Sequence, residues 1–551
     1  MKINKKEVLV LVPILIYYFY EILFLAHYNF TFNDPGYLFG MAWRLLNGEE
    51  IYVDFLYARP PLSPYLVAFW INILPEDGQY YYTKIVVYTY SLTTSLMLFY
   101  ILKRHMKSFF SNAHSGSILL MINVFNVNYY NHFWHTIDGI LFSTASLFVG
   151  LSKETPSTIR IYGMSILILF AMLSKQSFYP MPFAIALFLA LIYTKKVAIR
   201  FAAIMFLNVI IMLTLAYVFA KPQFVAYLEF KQYNSQLGPL LEAGVVNYVI
   251  GGLRLFVFMG FFVVLIYNRE FYALFKKKEY SNICKQFITP LSHGFILLVG
   301  LLAALNLYDL ANEPDGSSML MHIPVIGGLS IYIVWMLFQI ERNIISMETK
   351  KQILIIGLLM SIAWCASLSW GYKSPMLYSG IIMFSFLYVY WVNTKKHVSR
   401  ITILFTTLMM AILSLVFVMQ GFTDKSENLG KYAKKLNGTY VHHRNSIRNI
   451  SFIEEEIKKC NSDNYVVLPS HPHIHWMHNT TSKISLDWVS NVEMLNKKER
   501  IKEELKSVDC IIIDKYYSLG GNKEFDFNRS ELIGSERYKH IIKRGGEESN
   551  N

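Results

Sequence analysis

The sequence predicts a polytopic α-helical membrane protein of about 13 transmembrane helices that ends in a small extracytoplasmic α/β domain. Three observations carry this. Of 551 residues, 54% are hydrophobic and 16% aromatic, with a mean hydropathy of +0.34. The apolar residues fall in repeated blocks of about 17 to 25, the length that crosses hydrocarbon. Beyond residue 420 the blocks stop, and the shorter helix and strand patterns of a polar domain replace them.

The first block, VLVLVPILIYYFYEILFLAH, follows the basic MKINKKE as a signal peptide would. Its apolar stretch is too long for one, however, and no small-residue cleavage site follows, so it reads as a retained helix over 8–27. Further spans lie near 81–102, 116–130, 137–151, 160–174, 178–194, 199–219, 248–267, 288–307, 319–338, 352–370, 377–393 and 400–420.

Charge between the spans orients the chain. With the N-terminus cytoplasmic, KRHM (103–106), TKK (194–196), KKK (276–278), Lys350 with Lys351, and TKKH (394–397) all fall inside, which is the positive-inside pattern of a multi-pass plasma-membrane protein. An odd number of spans then places the C-terminal domain, 421–551, outside with the first external loop, 28–80. Residues 1–420 form the transmembrane domain. The net charge of +13 is spread over these short loops, so the expected partner is the lipid bilayer and not nucleic acid. No internal repeat is visible, which argues against a transporter built from two related halves.

In the C-terminal domain, SFIEEEIKKC and KKERIKEELKS have helical patterning, while YVVLP and DCIIID read as strands. The four cysteines lack metal spacing. Cys460 and Cys510 both lie in this domain, and a disulfide between them is one alternative.

The first external loop is longer and more charged than a connection needs. Asp34-Pro35 opens a helical pattern with Tyr37, Leu38, Met41, Ala42 and Leu45 on one face, and Asn47-Gly48 stops it. Asp34 is thus at least a capping residue on an amphipathic helix. The loop continues through Asp54 and Tyr57 to Arg59-Pro60-Pro61, where the prolines fix an extended turn ahead of a short apolar helix over 64–74. A guanidinium held there matches phosphate oxygens with paired donors, or reaches lipid headgroups. Asp138 begins the fourth span and Lys175 stands between the fifth and sixth. Each is a helix-end anchor or a ligand-binding charge, since a charge at that depth is costly unless paired, hydrated or bound.

Taken together, these features resemble the GT-C superfamily of integral-membrane glycosyltransferases, in the branch related to protein mannosyltransferases and the lipid A aminoarabinose transferase. The resemblance is strongest over residues 28–185 and rests on an ordered series: Asp34, then AWRLLNG, Tyr52 to Phe55, Arg59 to Leu62, Asp138, and Ser174-Lys175-Gln176. It implies that Asp34 is the catalytic base and Asp138 a second acidic site residue. Arg59 and Lys175 would hold the donor phosphate, and Asp54, Tyr57 and Gln176 are candidate substrate contacts. Some relatives have a Glu before the basic residue of the Pro-Pro element, where this chain has Ala58. No metal ligand is therefore assigned, no cofactor is established, and a divalent cation stays an open alternative.

The implied reaction transfers a sugar from a polyprenyl-phosphate carrier to a hydroxyl acceptor on the outer face, with inversion. The acceptor is a glycolipid, a polysaccharide or a protein of the cell envelope. No Gly-rich phosphate loop for a nucleotide joins a strand to a helix. A transporter or flippase of lipid-linked saccharides is the rival reading, and an inactive envelope-assembly scaffold a third. A transporter places its ionisable groups near the bilayer midplane, whereas these gather at outer span ends.

Two weaker signals remain. The run HPHIHWMH brings His471, His473, His475 and His478 close in sequence, as a surface loop, an acceptor contact or a poorly spaced metal site. The stretch 221–247, with Tyr227, Phe230, Tyr233 and Gln236, either has a plain packing role or lies along the membrane and covers the carrier.

Overall fold

The computed structural model describes residues 5–23, 25–30, 34–107, 109–110, 115–127, 132–152, 156–233, 347–367, six positions between 378 and 388, and, in the C-terminal part, 435–436, 439–441, 444–460, 462–468, 471–489, 497–513 and 541–543. These residues are mostly helical. The spans expected at 248–267, 288–307, 319–338 and 400–420 lie outside them, as does most of 377–393.

Among the described residues, two helices are long and apolar enough to cross a membrane: α4 (Gln79–His105, 27 residues) and α9 (Lys195–Phe219, 25 residues). Helices also form at other expected spans, as α1 (Lys5–Leu23), α5 (Ser115–Val127), α6 (His135–Leu151), α7 (Thr158–Ser174), α8 (Met181–Ile192) and α11 (Met347–Ser367). They pack through one large apolar cluster that includes Leu98, Leu147, Ile168, Ile185 and Leu359. Small residues let them close up: a Cβ at Gly150 of α6 would lie 2.1 Å from the Met164 sulfur of α7. α9 keeps Ile199, Phe206, Leu213 and Phe219 exposed, an apolar surface suited to lipid.

The first loop builds two short helices, α2 (Asp34–Leu46) and α3 (Leu62–Ile73). α2 begins and ends where its punctuation predicts. Gly48, at φ +84°, turns the chain away while the Gly48 N–H donates to the Leu45 carbonyl. α10 (Lys221–Tyr233) follows α9 and brings Tyr227 onto Tyr52, with ring centroids 4.9 Å apart.

The C-terminal domain holds a parallel sheet of β4 (Tyr465–Leu468), β5 (Cys510–Ile513) and β6 (Ile541–Lys543), in that order. Parallel neighbours need a crossover, and α14 (Lys498–Lys506) lies within the one from β4 to β5. α12 (Arg444–Cys460) precedes β4, and the Cys460–Cys510 disulfide ties its end to β5. The pairing left open from sequence is present.

Side chains alternate across this sheet. Tyr465, Val467, Cys510 and Ile512 pack with Ile453 of α12. Val466, Leu468, Ile511 and Ile513 pack with Ile501 and Leu505 of α14, and the same cluster takes in Leu56 and Ala58 of the first loop.

The two polar regions are thus physically joined. Strand β1 (Tyr28–Phe30) runs parallel to β3 (Thr439–Val441), which also pairs with β2 (Lys435–Leu436). The Leu56 N–H donates to the Ser485 carbonyl at 2.6 Å. The short helix α13 (His473–Met477) crosses α2 where glycines open its surface: a Cβ at Gly40 would lie 2.4 Å from Pro472, and one at Gly36 2.4 Å from His473 Nδ1. Segments in such contact lie on one side of any membrane the chain crosses.

Candidate active site

The site is organised by the first turn of α6 and the residue before it. Trp134, His135, Thr136 and Asp138 are all buried there, and each has a neighbour from elsewhere in the chain. Asp138 Oδ2 accepts a 2.6 Å hydrogen bond from Ser63 Oγ at the start of α3. Thr136 Oγ1 accepts one of 2.6 Å from Lys175 Nζ. Trp134 faces the Arg59 guanidinium at 5.7 Å. His135 lies against the Trp134 ring at 4.0 Å, and both Lys175 and Arg59 are within electrostatic reach of it. Arg59 and Lys175, far apart in sequence, therefore flank one helix N-terminus.

Local structure sets each cation. Tyr52 occupies the left-handed region at φ +71°, which is strained for a residue with a Cβ. Tight bonding holds it: the Tyr52 N–H donates to the Phe55 carbonyl at 2.7 Å, and its hydroxyl to the Arg59 carbonyl at 2.6 Å. Neighbours in the run 56–58 face opposite ways. Leu56 and Ala58 enter the sheet's apolar cluster, while Tyr57 joins the aromatic cluster of α2. Arg59 then sits among three rings, Tyr37 at 5.4 Å, Trp134 at 5.7 Å and Trp488 at 5.9 Å.

Lys175 is buried in the break between α7 and the 3-10 turn Gln176–Phe178. That turn lies flat on α6 because Gly139 has no side chain. A Cβ there would be 2.2 Å from the Phe178 ring.

Several buried polar atoms have no hydrogen-bond partner among the described residues: Asp138 Oδ1, His135 Nδ1, Gln176 Oε1 and Trp488 Nε1. Buried polar groups are normally satisfied, so this grouping beside two cations is a candidate site for a polar ligand. An anion is the chemistry that an Arg, a Lys and a helix N-terminus suit best.

The candidates named from sequence separate here. Arg59, Asp138 and Lys175 come together, with Gln176 half-buried beside Lys175. Tyr57 is buried 5.8 Å from the Tyr37 ring. Asp34 opens α2, one turn before Tyr37, and its side chain lies outside the described residues. Asp54 does not join them. It is exposed, and its Oδ2 accepts the Glu50 N–H at 2.6 Å, closing its own turn.

Sequence reasoning missed Ser63, Thr136, His135 and Trp488. The first three stand within four positions of Arg59 or Asp138, a local signal that was available. Trp488 had none, because its neighbours come from the other end of the chain.

The surface-loop reading of HPHIHWMH is corrected. His471, His473 and His475 are buried, with Pro472 and His473 against Gly40 and Gly36 of α2. His475 Nδ1 lies 3.0 Å from Thr480 Oγ1 and its ring stacks on Tyr465 at 4.9 Å. Burial holds His475 down to about 3, with nearby Arg44, His478 and Lys483 adding to the effect. Burial also lowers His473 well below the ordinary range, with His471 and His475 adding to it. Among the described residues no group of three or more His, Cys, Asp or Glu is placed to hold a metal. Ala58 faces the apolar cluster of the sheet and not the cations. No family model, curated protein or solved structure matches this chain.

Proposed function

We propose that the protein is a membrane-bound glycosyltransferase of the GT-C type, crossing the plasma membrane about 13 times. It moves a sugar from a polyprenyl-phosphate donor to a hydroxyl acceptor on the extracytoplasmic face. The observation that carries this reading is the convergence of Arg59 and Lys175 on the turn that bears Asp138. Carrier phosphate is already a good leaving group, so catalysis needs charge neutralisation on it and proton removal from the acceptor.

In this scheme Asp34 takes the acceptor hydroxyl proton as the oxygen bonds to the anomeric carbon. The bond from that carbon to the phosphate oxygen breaks, and both its electrons leave with the phosphate. Arg59 and Lys175 hold the developing charge. Asp138, fixed by Ser63, orients the acceptor or the sugar. The Cys460–Cys510 disulfide supports the extracytoplasmic placement, since disulfides persist in oxidising compartments.

The test is transfer by purified protein in detergent from a polyprenyl-phosphate sugar, with release of polyprenyl phosphate as the readout. Detergent removes the sealed compartment that transport requires. Asp34→Asn is expected to abolish turnover while the protein inserts and accumulates normally. Retained turnover in that variant removes Asp34 as base, and none in the wild-type protein removes the reading.

A further inference from the structure

We propose that the C-terminal domain is part of the donor site, with Trp488 as a positioning residue for Arg59. The inference rests on the reading of Arg59 as a phosphate ligand and extends it to a residue 429 positions further along the chain, 488 against 59.

Arg59 is held in a box whose walls come from three separate elements. Tyr37 belongs to α2, Trp134 precedes α6, and Trp488 comes from the C-terminal domain. Trp488 also lies on Tyr37, with centroids 4.4 Å apart, and within 6.4 Å of Trp134, so the rings support one another as well as the cation. Aromatic faces attract a guanidinium and leave its edge donors available to an oxyanion. Without the third wall the side chain regains rotamers that aim its donors elsewhere, and ordering it again would weaken donor binding.

The position of Trp488 is itself fixed from next door. Asp487 is paired with Arg44 of α2 at 3.1 Å in a buried site, and Arg44 Nη1 also donates to the Ile484 carbonyl at 2.8 Å. Arg44 stands two turns after Tyr37, on the same side of α2. The helix that carries one wall of the box therefore also carries the anchor for another.

The experiment uses the full-length protein in detergent, with Trp488→Ala, Trp488→Phe and Arg59→Ala. It measures affinity for a polyprenyl monophosphate alone, the melting temperature, and KM and kcat for transfer. Trp488→Ala is expected to weaken carrier binding and raise the donor KM about tenfold, with kcat within about twofold, while Trp488→Phe restores most of the affinity. A purely structural role would lower the melting temperature and kcat without this split. Wild-type affinity in Trp488→Ala overturns the proposal while loss in Arg59→Ala leaves the donor-site reading standing. A Phe variant as weak as the Ala variant also overturns it. Failure of the wild-type protein to bind the carrier overturns both.

Discussion

Arg44 and Asp487, 443 positions apart, meet in a buried ion pair with Nη1 3.1 Å from Oδ1. Arg44 Nε at the same time donates to Glu49 Oε2 at 2.7 Å. One guanidinium thus closes the end of α2 and fastens the C-terminal domain to it. Removing one partner of such a pair leaves a buried charge uncompensated, at a cost of about 3 to 5 kcal/mol. Arg44→Ala should therefore lower the melting temperature more than the double change Arg44→Met with Asp487→Leu, which removes both charges. Thermal unfolding in detergent followed by tryptophan fluorescence measures the difference, and equal losses would refute the buried-charge account.

The placement of Lys175 depends on Gly139. Because a Cβ at Gly139 would meet Phe178 at 2.2 Å, Gly139→Ala should displace the turn that presents Lys175 and raise the donor KM by roughly tenfold, a shift of about 1.4 kcal/mol. Phe178→Leu in the same chain should recover part of the loss by making room. An Ala variant with unaltered donor KM would show that the turn adapts without moving Lys175.

Asp138 and Lys175 are predicted to fail differently. Asp138→Asn should reduce kcat by about 100-fold, the cost of misplacing a bound reactant, with carrier affinity kept. Lys175→Ala should weaken carrier affinity, and Thr136→Val, which removes the 2.6 Å acceptor for Lys175 Nζ, should do so to a smaller extent. Binding of polyprenyl monophosphate, measured beside turnover, separates the two patterns.

Acid should loosen the C-terminal domain. His475 is held near 3 in the folded chain by burial, whereas an unfolded histidine titrates near about 6.5. The folded state thus binds fewer protons, so stability is complete above about 6.5 and declines as the pH falls toward 3. The slope from this one group approaches about 1.4 kcal/mol per pH unit once the unfolded ring is charged. Melting temperatures at pH 7.5 and 5.5 test it, and His475→Gln should flatten that dependence.

Ala58→Glu tests whether position 58 belongs to the site. The new carboxylate would enter the apolar cluster around Val466 and Ile511, where an unpaired charge is strongly unfavourable. Loss of stability with no gain of metal binding is expected. Tight binding of a divalent cation by this variant, measured calorimetrically, would place position 58 in the site after all.

Local signals made much of the helical part legible. Asp34-Pro35 and Asn47-Gly48 fixed both ends of α2, and DCIIID and YVVLP marked β5 and β4, because capping and alternation are short-range. Arg59, Asp138 and Lys175 were nameable only as separate charges. Their convergence depends on Gly139 and on the strained Tyr52, and neither announces its partner in sequence. HPHIHWMH read as a polar surface for the same reason. What buries it is the groove at Gly36 and Gly40 on a helix at the other end of the chain.

The pairing of β1 with β3 sets an order on biogenesis. Tyr28 is synthesised 412 residues before its partner Tyr440, 28 against 440, and must wait for it. Until then the loop bearing Arg59 lacks both the sheet that takes up Leu56 and Ala58 and the third ring around the guanidinium. A nascent chain halted before Thr439 would carry both helices of the first loop and still lack the strand, the sheet and the third ring that pack against that loop. The first loop therefore reaches its final packing only after the C-terminal domain has been made.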